Sequence, residues 1–75
     1  MNPIQRILEE KQLKAKKLAM MLEVDVIKIY EYRTGSVARL PEHVLEKIER
    51  LFGEKADVVQ RQYQDWRREL AGVTA

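Results

Sequence analysis

Apolar residues recur along this chain in clusters spaced three and four positions apart, the mark of helix faces turned toward a core. Ile4, Ile7 and Leu8 form the first cluster, and Leu18, Ala19 and Leu22 the second. Ile29 and Tyr32 form the third. Val44, Leu45, Ile48, Leu51 and Phe52 form the fourth, and Val59, Tyr63, Trp66 and Leu70 the fifth. Nothing alternates with a period of two, so no sheet is expected. The residues between clusters punctuate the same reading. Asn2-Pro3 is a helix start, because Asn caps free amides and Pro is tolerated just inside the first turn; this helix is expected to end near Gln12. A second helix spans 15–22. After the turn Glu23-Val24-Asp25, Asp25 caps a third helix over 26–33, closed by Gly35 in a left-handed conformation. Pro41 opens a fourth, with Glu42 placing negative charge in its first turn, and Gly53 ends it. A fifth runs over 56–71, and the tail beyond Gly72 is expected to fray. The fold class that follows is all-α, a small bundle of four to five helices.

Size and composition narrow the chemistry. Seventy-five residues make one small domain, whose core is marginal unless it is idealised or shared with a partner. There is no Cys, which excludes disulfides and thiolate metal sites, and the one His, His43, reads as a solvated or capping residue in the first turn of the fourth helix. No Gly-rich phosphate loop is present, Thr34 and Ser36 have no neighbouring base, and the Glu9-Glu10 pair has no pocket. A non-enzyme without cofactor or metal is expected. No apolar run approaches the ~20 residues that cross a bilayer, and no leader follows Met1, so a cytoplasmic location without membrane contact is expected. The net charge is only +2, but it is unevenly spread. Residues 1–40 hold eight Lys and Arg against five acids, and residues 41–75 hold six against seven. Lys11, Lys14, Lys16 and Lys17 stand together without an acid between them, either as a solvated helix start or as a phosphate-facing patch.

Residues 15–34 carry the apolar grammar of a helix-turn-helix. Ala19 supplies the small residue where two steeply crossing helices touch. Leu18 and Leu22 fill the inner face of the first, Val24 plugs the turn, and Ile29 and Tyr32 fill the inner face of the second. With a helix before and the segment LPEHVLEKIERLFG after, roughly residues 4–53 resemble the Cro/phage-repressor type of helix-turn-helix domain, whose recognition helix often ends in aromatic-acid-any-Gly; here that end reads Tyr32-Arg33-Thr34-Gly35. The resemblance implies a lambda-repressor-like bundle, with residues 1–55 as the DNA-binding domain and 56–75 as an added C-terminal amphipathic helix. Four positions depart from the usual pattern. Glu23 stands where Gly is common, and must adopt a left-handed backbone at a cost of about 1 kcal/mol or use another turn. Ala15 replaces a bracing Gln, Lys14 replaces a capping Ser or Thr, and Arg33 replaces an acid that pairs with a base on the first helix. A reversed pair between Arg33 and Glu9 or Glu10 is expected.

By this resemblance the third helix reads bases through Val26, Ile27, Lys28, Tyr30 and Glu31, with Asp25 also outward. Val26 and Ile27 suit thymine methyls, Lys28 suits guanine or phosphate, Tyr30 suits phosphate, and Glu31 suits cytosine N4. The acids oppose phosphate binding, and Lys14, Lys16, Lys17, Arg33 and Arg39 offset them as phosphate contacts. Met20 and Met21 are adjacent and point about 100° apart, so both cannot face the core. Met20 is assigned to core packing; the alternative is an apolar surface patch with Val26, Ile27 and Tyr30.

The seam Val59, Tyr63, Trp66 and Leu70 is assigned to a homodimer interface, with packing on its own domain as the alternative. The expected function is a sequence-specific regulator, most simply a repressor, binding double-stranded operator DNA as a homodimer through residues 26–33. The rival is a protein-interaction module or antitoxin that presents the apolar face of its second and third helices to a protein partner.

Overall fold

Asn2 opens the first helix by accepting hydrogen bonds from the amides of Ile4 at 2.8 Å and Gln5 at 3.0 Å. A computed structural model describes residues 1–72 and places five helices there: α1 Pro3–Glu10, α2 Ala15–Leu22, α3 Val26–Thr34, α4 Glu42–Phe52 and α5 Ala56–Gly72. No strand occurs among the described residues. The expected fraying beyond Gly72 concerns residues outside the described ones. The bundle is all-α, as the apolar spacing implies.

Each helix contributes its predicted stripe to one core. Ile4, Ile7, Leu8, Leu18, Ala19, Leu22, Ile29, Tyr32, Val44, Leu45 and Ile48 are all buried, joined by Leu40 from the loop and by Val59 and Tyr63 from α5. Leu51 departs from its expected inward place and is 46% exposed, while its neighbour Phe52 is the residue that packs against the core. Phe52 stays half-buried, and Lys11 lies over its ring at 5.8 Å.

Three successive helices end by the same device. A left-handed residue is followed by one whose amide reaches back five positions. At α1 the left-handed residue is Gln12, at φ 53°, and the Leu13 amide bonds Leu8 O at 2.9 Å. At α2 it is Glu23, at φ 59°, with Val24 bonding Ala19 O at 2.9 Å. At α3 it is Gly35, with Ser36 bonding Glu31 O at 3.2 Å. These bonds satisfy carbonyls that a helix end leaves free, and the apolar Leu13 and Val24 then pack on the core. The first helix therefore stops at Glu10, with Gln12 outside it rather than in its last turn. Glu23 takes the left-handed backbone, and its carboxylate pairs with Lys47 of α4. The ion pair offsets part of the conformational cost.

Long-range polar ties fix the helix order. The Asn2 amide donates to Tyr32 O at 2.9 Å, which joins the start of α1 to the end of α3. Arg6 of α1 donates to both carboxylate oxygens of Glu54, at 2.5 and 3.1 Å, and to Gln62 of α5 at 3.2 Å. The bidentate bond to Glu54 holds the guanidinium pKa above its ordinary value. Arg6 also bonds Glu10 at 3.0 Å. Arg6 thus engages Glu10 and Glu54, the Gln5 carboxamide donates to Glu9 at 2.8 Å, and no ion pair forms between Arg33 and Glu9 or Glu10, contrary to the sequence expectation.

Candidate nucleic-acid interface

α2 packs more extensively on α3 than on any other element, through Leu18, Ala19, Leu22, Ile29 and Tyr32, all buried. That packing fixes what α3 presents outward. Asp25 caps the helix by accepting from the Ile27 amide at 2.9 Å, so its carboxylate is engaged with backbone at the helix start. Ile27 and Tyr30, three positions apart, stand on the outer face at 60% and 51% exposure. Lys28 and Glu31 are paired with each other at 3.4 Å and remain partly exposed. Mutual pairing mutes the acid at the centre of the face. Val26 is half-buried and packs against the core, so it presents less to the outside than its assignment as a base contact requires.

The cations assigned to phosphate fall in three places. Lys14, Lys16 and Lys17 are exposed at the start of α2, Arg33 is half-buried at the end of α3, and Arg39 is exposed in the following loop. Among the described residues none of these five forms an ion pair. Lys14 also lacks a side-chain capping bond, as its identity implied. Arg33 shares a cleft with Asn2, Gln5, Tyr30, Thr34 and Trp66.

Two assignments change. Met20 is 67% exposed and Met21 half-buried, so Met20 lies outside the core. The reason is the position of Ala19, whose small side chain takes the close contact with α3 and turns its neighbour outward. The second change concerns α5. Val59 and Tyr63 are fully buried within their own chain and Trp66 packs against the same core, so these three do not form an exposed dimer seam. Only Leu70, at 53% exposure, remains outside. The heptad-like spacing is satisfied internally because α5 folds back onto α4 and α1. Burial pushes the Tyr63 and Tyr32 phenols above the usual tyrosine range.

Sequence reasoning missed the polar residues of α5 that hold the loop before α4. Gln60, Tyr63 and Arg67 all hydrogen-bond to its backbone. Their i, i+3, i+7 spacing was visible, but its target lay on another element.

No group of His, Cys, Asp or Glu among the described residues is arranged to hold a metal ion, and no described helix is long and apolar enough to cross a membrane. Compared with protein-family models, curated proteins and solved structures, the chain matches none.

Proposed function

We propose that this protein is a small sequence-specific DNA-binding regulator of the helix-turn-helix type, acting on operator DNA as a homodimer and repressing by occupancy. The observation that carries the reading is the exposure of Ile27, Tyr30 and Lys28 on α3 together with Lys14, Lys16, Lys17, Arg33 and Arg39, which have no carboxylate partner among the described residues. Phosphate contacts from Lys14, Lys16, Lys17, Arg33 and Arg39 supply affinity and register. Apolar contact of Ile27 with thymine methyls, and hydrogen bonds from Tyr30 and the Lys28–Glu31 pair, supply preference. Since Val59 and Tyr63 are internal, the large exposed apolar residues available to a twofold contact in the C-terminal half, among the described residues, are Leu51, Val58 and Leu70.

Binding to random duplex titrated with salt tests the reading. Affinity should fall log-linearly, by about 0.9 per phosphate neutralised. Selection from random duplexes should then return a near-palindromic site, while absence of any duplex binding by folded protein in dilute salt rejects the reading.

A second reading is favoured by one observation. Met20, Ile27 and Tyr30 are each more than half exposed, an unusual apolar share for a DNA-facing surface. In that case the same face docks a protein partner, as in an antitoxin, and binding would be insensitive to Lys16→Ala and Lys17→Ala but lost in Ile27→Ala.

A further inference from the structure

The backbone between α3 and α4 has no regular structure of its own and is held from outside. Arg67 Nε donates to Gly35 O at 2.9 Å, and Tyr63 OH donates to Val37 O at 2.7 Å. The Gln60 carboxamide takes Leu40 on both sides, accepting from its amide at 2.9 Å and donating to its carbonyl at 2.8 Å. On α5 these side chains follow an i, i+3, i+7 pattern and so share one face. They meet the loop in reverse order, so the loop runs antiparallel to the helix. Leu40 and Tyr63 are buried. At the other end of the loop, the hydroxyls of Thr34 and Ser36 both donate to Glu31 O at 3.2 Å. Arg39 lies between the tied positions 37 and 40, is exposed, and forms no ion pair among the described residues.

We infer that Gln60, Tyr63 and Arg67 are positioning residues that hold Arg39 ready for a phosphate contact, so that α5 acts on DNA through the loop without touching it. The inference rests on the DNA-binding reading above. A mobile loop must give up backbone freedom when its arginine meets a phosphate, whereas a loop already tied at Gly35, Val37 and Leu40 gives up only side-chain freedom. The polar residues of α5 therefore act on affinity, and the helix that reads as a dimer seam serves as a mould for the loop.

The test compares full-length wild type, Gln60→Ala, Arg39→Ala and the double variant on random duplex between about 50 and 200 mM salt. Gln60→Ala is expected to weaken binding about fivefold while keeping a salt slope near that of wild type, since the phosphate is still met but by a loop that must first be ordered, whereas Arg39→Ala should make the slope shallower by about 0.9. The double variant should bind no more weakly than Arg39→Ala alone. Tyr63→Phe, which keeps its ring in the core, should move in the same direction. A folded Gln60→Ala protein with wild-type affinity, or additive losses in the double variant, overturns the inference. Hydrogen exchange separates the tie from its use: the Leu40 amide should exchange faster in Gln60→Ala, and unchanged protection there refutes the tie itself. Faster exchange in a protein whose wild type binds no duplex instead refutes the DNA reading, and this role with it.

Discussion

The indole of Trp66 lies against Gly35 so closely that a β-carbon on Gly35 would stand 2.9 Å from Cζ3 and 3.0 Å from Cη2. The same residue closes α3 at φ 77° and accepts a hydrogen bond from Arg67. Backbone conformation, ring packing and a polar tie therefore meet at one position at the end of the proposed recognition helix.

Gly35→Ala should consequently cost about 2 kcal/mol, about half from the left-handed backbone and the rest from displacing the indole. Gly53 has a similar φ of 72°, but nothing lies near its missing β-carbon. Gly53→Ala should cost only the backbone share, about 1 kcal/mol. Thermal melts of the two variants measure the difference directly, and equal losses would remove the Trp66 contact as a contributor.

Gln12 and Glu23 both pay a conformational cost that glycine would avoid. Gln12→Gly should stabilise by about 0.5 kcal/mol, after allowing for the greater freedom glycine gives the unfolded chain, which raises Tm by about 3 °C. Glu23→Gly gains the same relief but loses the pair with Lys47, so its melting temperature should hardly change.

Tyr63→Phe should cost about 1 kcal/mol at neutral pH, through loss of the bond to Val37. Because burial raises the phenol pKa in the folded state, the native chain holds this proton more tightly than the unfolded chain does. The associated stability is complete below about pH 10, the unfolded value, and is lost as pH rises toward the folded one. Denaturant melts should therefore show the gap between wild type and Tyr63→Phe narrowing above about pH 10, with part of the alkaline loss persisting in the variant through Tyr32, which burial shifts the same way.

Arg6 and Glu54 are each about three-quarters buried at the side chain and bond in a two-pronged geometry. A double-mutant cycle of Arg6→Ala and Glu54→Ala should return a coupling of about 1 kcal/mol, more than an exposed pair gives, and it should shrink in high salt. A coupling near zero would mean that the tie between α1 and the α4–α5 turn adds no stability.

On duplex DNA, Lys16→Ala and Lys17→Ala should weaken all sequences alike and reduce the salt slope, whereas Ile27→Ala should change the ranking of sequences. Binding profiles over a random library distinguish these outcomes. A uniform loss for Ile27→Ala would remove it from base reading.

The helices and the inner faces of α1 to α4 were legible because apolar spacing and capping residues act within a few positions of each other. Asn2, Asp25, Gly35 and Gly53 announced four helix ends by chemistry that is local. Gln12 did not, since nothing in glutamine marks a left-handed residue; the apolar Leu13 behind it was the available hint. The fate of α5 was not legible either. The same apolar spacing serves a partner helix or the chain's own core, and only the position of the other four helices decides between them. Met20 was misplaced for a related reason: two adjacent apolar residues leave the choice of inward neighbour to packing. The outward set on α3 was half legible. Ile27 and Tyr30 are exposed as expected, Val26 is half-covered, and Lys28 turns to Glu31.

None of the four connections between helices is slack. Gln12 and Glu23 flank α2 with left-handed turns, α5 grips residues 35 to 40, and Glu54 and the Ala56 amide are anchored by Arg6 and Glu49. A residue inserted between the tied positions of any of them must break one of these bonds or displace a neighbouring helix. The length of each connection is thus a constraint of its own, set by the bonds that span it rather than by the residues it contains.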